Sequence, residues 1–157
     1  VIHIRRIAPR DLARDLPRLL PRILRIERAC FGQDAWPAEL FRHYMEHPVS
    51  VFLIAVTATR MLGYARAVPV QSAWSLDSIA VAPRAQGRGV ATRLLRRLFT
   101  TLTRLGGRRL TLRVRMDNAA ALHLYQKLGF RRTHRIDGYY EDGSPAWRMV
   151  RKLGALT

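Results

Sequence analysis

The residues best suited to chemistry lie in one short stretch, Ala82-Pro83-Arg84-Ala85-Gln86-Gly87-Arg88-Gly89-Val90-Ala91. An apolar run stops at Pro83, a short loop follows, and a helical pattern starts at Val90. Gly87 and Gly89 leave backbone amides uncovered and let a ligand approach closely. The first amides of the following helix have no internal partner and sit at its positive dipole end. Such a loop suits a phosphate or pyrophosphate. It is not a P-loop, because no Gly-Lys-Ser/Thr follows, and the dinucleotide spacing G-x-G-x-x-G also fails. The five histidines, His3, His43, His47, His123 and His134, are scattered without ligand spacing, so no metal is expected. Cys30 falls on an apolar helix face and reads as a small core residue rather than a nucleophile.

These residues need elements to position them. Alternation predicts a strand over 1–7. Leu16, Leu19, Leu20, Ile23, Leu24 and Ile26 recur at helical spacing. Pro17 and Pro21 interrupt that face, so the main helix is expected over 21–31, with a break before it. A loop over 32–36 and a helix over 37–46 follow, the latter ended by His47-Pro48. Two β-rich runs, 49–57 and 61–68, read as a hairpin, and 74–81 as a strand. Val90, Leu94, Leu95, Leu98, Leu102 and Leu105 mark an amphipathic helix closed by Gly106-Gly107. A strand over 110–114, a helix over 118–128 capped by Asn118, and strands over 130–136 and 146–152 complete the chain. The order β-α-α-β-β-β-α-β-α-β-β implies one α/β domain over 1–157. Its central sheet is mixed, with helices on both faces and a parallel crossover around 74–114.

Composition narrows the setting. At 157 residues with 48% hydrophobic side chains, the chain is long enough for its own core and unlike a disordered sequence. Cys30 is the sole cysteine, so no internal disulfide is possible. No apolar run is long enough for a membrane span, and the opening residues lack the apolar core of a leader. The cytoplasm is the expected compartment, with no membrane partner. The formal net charge is +17, and arginine supplies all but Lys127 and Lys152 of the 28 cationic side chains. Such a surface attracts nucleic acid, ribosomes or a polyanionic cofactor. Equally, it can reflect base composition and a merely solvated face.

At this point a family resemblance enters. Gln86-Gly87-Arg88-Gly89-Val90-Ala91 resembles the Q/R-x-x-G-x-G/A signature of the GNAT acyltransferases, between the expected strand and helix. Residues 26–31 with Trp36 are similar to the early helix and loop of the RimI-like branch, the ribosomal-protein N-terminal alanine acetyltransferases. Residues 113–130 resemble that branch's V-R-x-x-N-x-x-A-x-x-L-Y-x-K-L-G-F segment, and Gly138-Tyr139-Tyr140-Glu141-Asp142-Gly143 its last turn. The resemblance implies acetyl-CoA as co-substrate and a primary amine as acceptor, foremost a protein or peptide N-terminus such as that of a ribosomal protein. It implies that the main chain of Ile79, Ala80 and Val81 pairs with the pantetheine arm. The amides of Gln86, Gly87, Arg88, Gly89, Val90 and Ala91, with Thr92 next, would hold the pyrophosphate. Arg84, Arg88 and Arg93 would add charge. It also implies that Asn118 hydrogen-bonds the cofactor arm and that Tyr125 protonates the departing thiolate. Otherwise Tyr125 is a packing residue. Tyr139, Tyr140, Phe31 and Trp36 form the expected acceptor side, or else cover the open end of the sheet.

One departure stands out. Where the branch carries a glutamate that serves as base, this chain has Arg113, and a guanidinium accepts no proton near neutral pH. Asp77, on one strand face with Ile79 and Val81, is the substitute base, acting through water. Alternatively it is an ion partner of Arg113 or Arg66. Glu141 and Asp142 are weaker candidates, and His123, two residues from Tyr125 on a helix, points elsewhere. Two further readings stay open. One is a GNAT-fold CoA-binding module that docks on ribosome or nucleic acid; the other is acetylation of lysine or a small amine. A monomer or weak dimer is expected.

Overall fold

The computed structural model of the protein describes residues 1–45 and 49–154. The elements run β1 (His3–Ile7), α1 (Pro9–Phe31), α2 (Ala38–Met45), β2 (Val51–Val56), β3 (Met61–Val70), β4 (Ala73–Val81), α3 (Val90–Arg104), β5 (Arg109–Arg115), α4 (Ala119–Lys127), β6 (Arg131–Ile136) and β7 (Ala146–Lys152). This is the order expected from the sequence. The strand order is β1-β2-β3-β4-β5-β7-β6, and the sheet is mixed. β1 with β2, β2 with β3, β5 with β7 and β6 with β7 are antiparallel. β4 and β5 run parallel, with Trp74 opposite Leu110 and Ser75 opposite Thr111. The expected His47-Pro48 helix stop lies outside the described residues.

The described chain divides into two compact units. The first comprises Val1–Val68 and Ser78–Leu98, the second Pro69–Asp77 and Phe99–Thr157. In the first, β2 and the start of β3 are buried almost without alternation, as interior strands must be. Gly63 of β3 has no room for a side chain, since a Cβ there would lie 2.6 Å from the Ala80 carbonyl oxygen. In the second, Leu110, Leu112 and Val114 of β5 and Met149 of β7 are buried on one sheet face.

α1 corrects one expectation. It runs unbroken from Pro9 to Phe31 with Pro17 and Pro21 inside it. Each proline removes a donor, freeing the carbonyl four residues back, at Ala13 and at Pro17. Ala13, Pro17 and Pro21 are all exposed, so water can serve those carbonyls. Meanwhile Leu12, Leu16, Leu19, Leu20, Ile23, Leu24 and Ile26 stay buried along the whole length. Burial of that stripe outweighs the local penalty, because most helical stability in a protein comes from packing. α3 is shorter than its pattern: it ends at Arg104, and Leu105 is left exposed.

Candidate active site

In the first unit the glycine loop has the form an anion site needs. Gly87 and Gly89 both have φ of 78°, a left-handed conformation that L side chains rarely adopt. A Cβ built on either would meet nothing within 4 Å, so the space over the loop is open. The Gly89 carbonyl accepts from the Arg93 amide at 3.0 Å, which leaves the amides of Val90, Ala91 and Thr92 ahead of the first helical bond of α3. Gln86 turns back instead of out. Its Nε2 donates to the Val81 carbonyl at 3.0 Å and lies 3.9 Å from Cys30 Sγ. The Cys30 thiol donates to the same carbonyl at 3.1 Å. Burial, above all, pushes that thiol up from its ordinary pKa, so it stays protonated and is no nucleophile. Arg93 donates to the Ile2 carbonyl at 2.7 Å.

The same unit holds a constellation that sequence reasoning passed over. Glu27 is 2% exposed. Its carboxylate accepts the Trp36 amide at 2.9 Å and the Tyr64 hydroxyl. Ser78 Oγ lies 3.5 Å from that hydroxyl. Burial raises the Glu27 pKa, against the two hydrogen bonds that lower it, and burial beside Glu27 raises Tyr64 well above the phenol range. Glu27 therefore fastens the loop carrying Trp36 to α1. The signal was present: Leu16, Leu20, Ile23 and Glu27 share one helical stripe, so a carboxylate there must be buried and must find donors. Trp36 packs tilted on Phe41 with centroids 5.3 Å apart, while Phe31 is exposed at the end of α1.

The second unit carries the remaining residues expected from the sequence. Asn118 caps α4, its side chain accepting from the Ala121 amide at 3.1 Å. That leaves the NH₂ of Asn118 to donate outward. Tyr125 is buried, its ring edge-on to Phe130 at 5.6 Å. The ring is packed away, but its hydroxyl keeps some exposure and makes no hydrogen bond among the described residues. Desolvation first, and Tyr140 second, push Tyr125 above the ordinary phenol pKa. His123, on the same helix, is exposed, as its spacing implied.

Tyr139 and Tyr140 pair edge to face at 5.0 Å. The guanidinium of Arg113 stands 5.8 Å from the Tyr139 ring centre and that of Arg115 stands 4.2 Å from the Tyr140 centre. Asp142 is no loose acid. It accepts the Ser144 amide at 2.9 Å and Arg115 at 3.0 Å, and these bonds hold its pKa below the usual range, the Ser144 amide foremost. Asp77 shares a strand face with Ser75, which sits opposite Thr111, and Thr111 shares its face with Arg113. The carboxylate thus lies on the same side of the sheet as the arginine that stands at the glutamate position. Among the described residues no cluster of three His, Cys, Asp or Glu side chains could hold a metal, and no helix is long and apolar enough to cross a membrane.

Known proteins resemble the chain over most of its length. Residues 20–130 match the model of the acetyltransferase (GNAT) family. The chain is 35% identical over 130 residues to the N-alpha-acetyltransferase RimI of Mycobacterium tuberculosis, covering 78% of this chain and 79% of that one. It is 26% identical over 147 residues to an N-alpha-acetyltransferase of Saccharolobus solfataricus, covering 83% of this chain and 86% of that one. The fold superposes on the crystal structure of the ribosomal-protein-S18-alanine N-acetyltransferase from Escherichia coli with a TM-score of 0.83 and 26% identity, over 100% of this chain and 97% of that one. With its glycine loop, its Asn118-capped helix and these relatives, the chain belongs to the GNAT acetyltransferase family, on its RimI-like branch.

Proposed function

We propose that this acetyltransferase moves the acetyl group of acetyl-CoA to the α-amine of a protein or peptide N-terminus. One observation carries the cofactor half: the open loop of Gly87 and Gly89, both left-handed, feeding the unpaired amides of Val90, Ala91 and Thr92. Those amides bind the pyrophosphate, helped by the dipole of α3 and by the charge of Arg84 and Arg88. Gln86 acts differently from its neighbours, since its side chain holds the loop to β4. The Val81 carbonyl already accepts two internal donors, so the pantetheine arm pairs with the Val81 amide and with the main chain of Ile79 and Ala80. Asn118 donates to the arm through its free NH₂.

The amine must arrive neutral to attack the thioester carbon. A peptide α-amine, with a pKa near ~8, is partly neutral at physiological pH, whereas a lysine near ~10.4 is almost wholly protonated. Arg113 sharpens that difference, because a nearby cation disfavours a charged acceptor. As the carbon–nitrogen bond forms and the carbon–sulfur bond breaks, Tyr125 donates its phenolic proton to the thiolate. Asp77 takes the proton shed by the amine through a water and passes it to solvent, from which Tyr125 is recharged. The raised pKa of Tyr125 keeps it protonated, and so ready to donate, across the working range. Tyr139 and Tyr140 line the acceptor side.

The test is titration of acetyl-CoA by calorimetry into the wild-type protein and into Gly89→Glu. The substitution puts bulk and negative charge where the pyrophosphate must lie, at a φ that opposes any side chain. Loss of binding is expected. Unchanged affinity would show that the loop is not the cofactor site.

A further inference from the structure

The antiparallel strands β5, β7 and β6 place cations side by side on one face of the second unit. Residues in register share a face. Arg113 is opposite Arg148, which is opposite His134, forming one row across three strands. Arg109 is opposite Lys152, and Arg131 is opposite Val150 on that same face. Arg109, Arg113, Arg131, His134 and Lys152 are all exposed. Directly opposed like charges destabilise a sheet, so this arrangement works against folding.

Among the described residues little neutralises it. Asp142 takes Arg115 at the end of the face, and Asp77 sits on neighbouring β4. Arg109 donates to Ser72 Oγ at 3.3 Å and Arg148 to Thr133 Oγ1 at 3.1 Å, contacts that orient the guanidinium without cancelling its charge. Arg113, Arg131 and Lys152 make no ion pair among the described residues. The face begins at Arg113 and Arg115, beside the Tyr139–Tyr140 pair.

We propose that this face selects an acidic acceptor: a polypeptide whose first residues carry carboxylates that pair with Arg113, Arg148 and Arg131. The inference rests on the reading above, in which the Tyr139–Tyr140 turn lies on the acceptor side. The geometry suits an extended chain. Same-face side chains on a strand repeat every ~6.6–6.8 Å, which is also the spacing of alternate side chains in an extended acceptor. Arginine's planar fork matches a carboxylate with two parallel hydrogen bonds. A nucleic-acid strand is the other polyanion such a face attracts. It is disfavoured because both rings at the end of the face already carry a guanidinium, and single strands rely on free aromatic platforms for stacking.

The experiment uses peptides that share their first residue and carry Glu, Gln or Lys at alternate positions after it. Transfer is followed at two salt concentrations, and binding of the same peptides by fluorescence anisotropy. The glutamate peptide is expected to have a kcat/KM roughly tenfold above the glutamine peptide at low salt, through KM, shrinking as salt rises. Arg148→Gln and Arg131→Gln, made separately and checked for retained acetyl-CoA binding, should each reduce that ratio. Transfer at equal kcat/KM to all peptides, or a preference for the lysine peptide, overturns the inference and leaves the N-terminal reading standing. Inhibition by RNA with no advantage for glutamate overturns it in favour of nucleic acid. No transfer at all, with tight glutamate-dependent binding, overturns the N-terminal reading and leaves the acidic face standing.

Discussion

Tyr125 and Asp77 divide the proton traffic of the proposed reaction, and single substitutions separate them. Tyr125→Phe removes one hydroxyl and little volume, so packing on Phe130 survives. Turnover should fall ~10²–10⁴-fold, the worth of one positioned acid, while acetyl-CoA affinity measured by calorimetry changes far less. Unaltered turnover would return Tyr125 to a packing role. Asp77→Asn should slow transfer to a peptide N-terminus, and raising the pH should partly restore the rate, because hydroxide then takes up the proton that Asp77 would have relayed. A defect equal at every pH would make Asp77 structural. At this scale the sequence was legible where a residue type has one purpose. The glycines at 87 and 89 could serve a close approach, and they occupy left-handed backbone over open space. It was illegible where purpose depends on a distant partner. Nothing local told that Gln86 would turn back to Val81, or that Asp142 would brace Arg115.

The elements show the same division between local and distant causes. Strand and helix order followed from periodicity, because each pattern reports its own buried face. α1 was misread because its prolines were weighed locally, while the buried stripe that holds it depends on the strands it packs against. Pro17→Ala restores a donor at an exposed helical position and should raise the melting temperature. The gain approaches the ~3 kcal/mol helix-interior penalty of proline, less about 0.4–1 kcal/mol for the freer unfolded chain. A lowered melting temperature would mean that the proline is needed where it stands. Glu27 tests the junction of α1 with the loop bearing Trp36. Glu27→Leu orphans the Trp36 amide and the Tyr64 hydroxyl and should cost about 1–3 kcal/mol for each buried group left unpaired. Glu27→Gln keeps an acceptor for the Trp36 amide and offers its NH₂ to the Tyr64 hydroxyl, which can turn to accept, and should cost much less. The folded protein holds the Glu27 proton more tightly than the unfolded chain does. This contribution to stability is therefore full below the unfolded carboxylate pKa and is lost as pH rises through the higher folded value. Denaturant melts across that window should show the decline in wild type and a flatter profile in Glu27→Gln; identical profiles would contradict the burial argument.

For the whole molecule, the net charge of +17 was the plainest number in the sequence and the least informative by itself. Composition counts arginines without saying which ones oppose each other. Strand register supplies that, by setting Arg113 against Arg148 and Arg109 against Lys152. Under the proposed reading, the glutamate-to-arginine departure at Arg113 acquires a physical meaning: an acceptor side suited to a neutral amine on an acidic chain. One measurement tests this account most directly. A peptide with a free N-terminus and an internal lysine is incubated with acetyl-CoA and the protein near neutral pH, beside the same peptide with its N-terminus blocked, and the acetylated position is read by mass spectrometry. The account predicts acetyl on the α-amine of the first peptide and little transfer to the second. Acetylation of the lysine in both, or no transfer to either while acetyl-CoA remains bound, would contradict it.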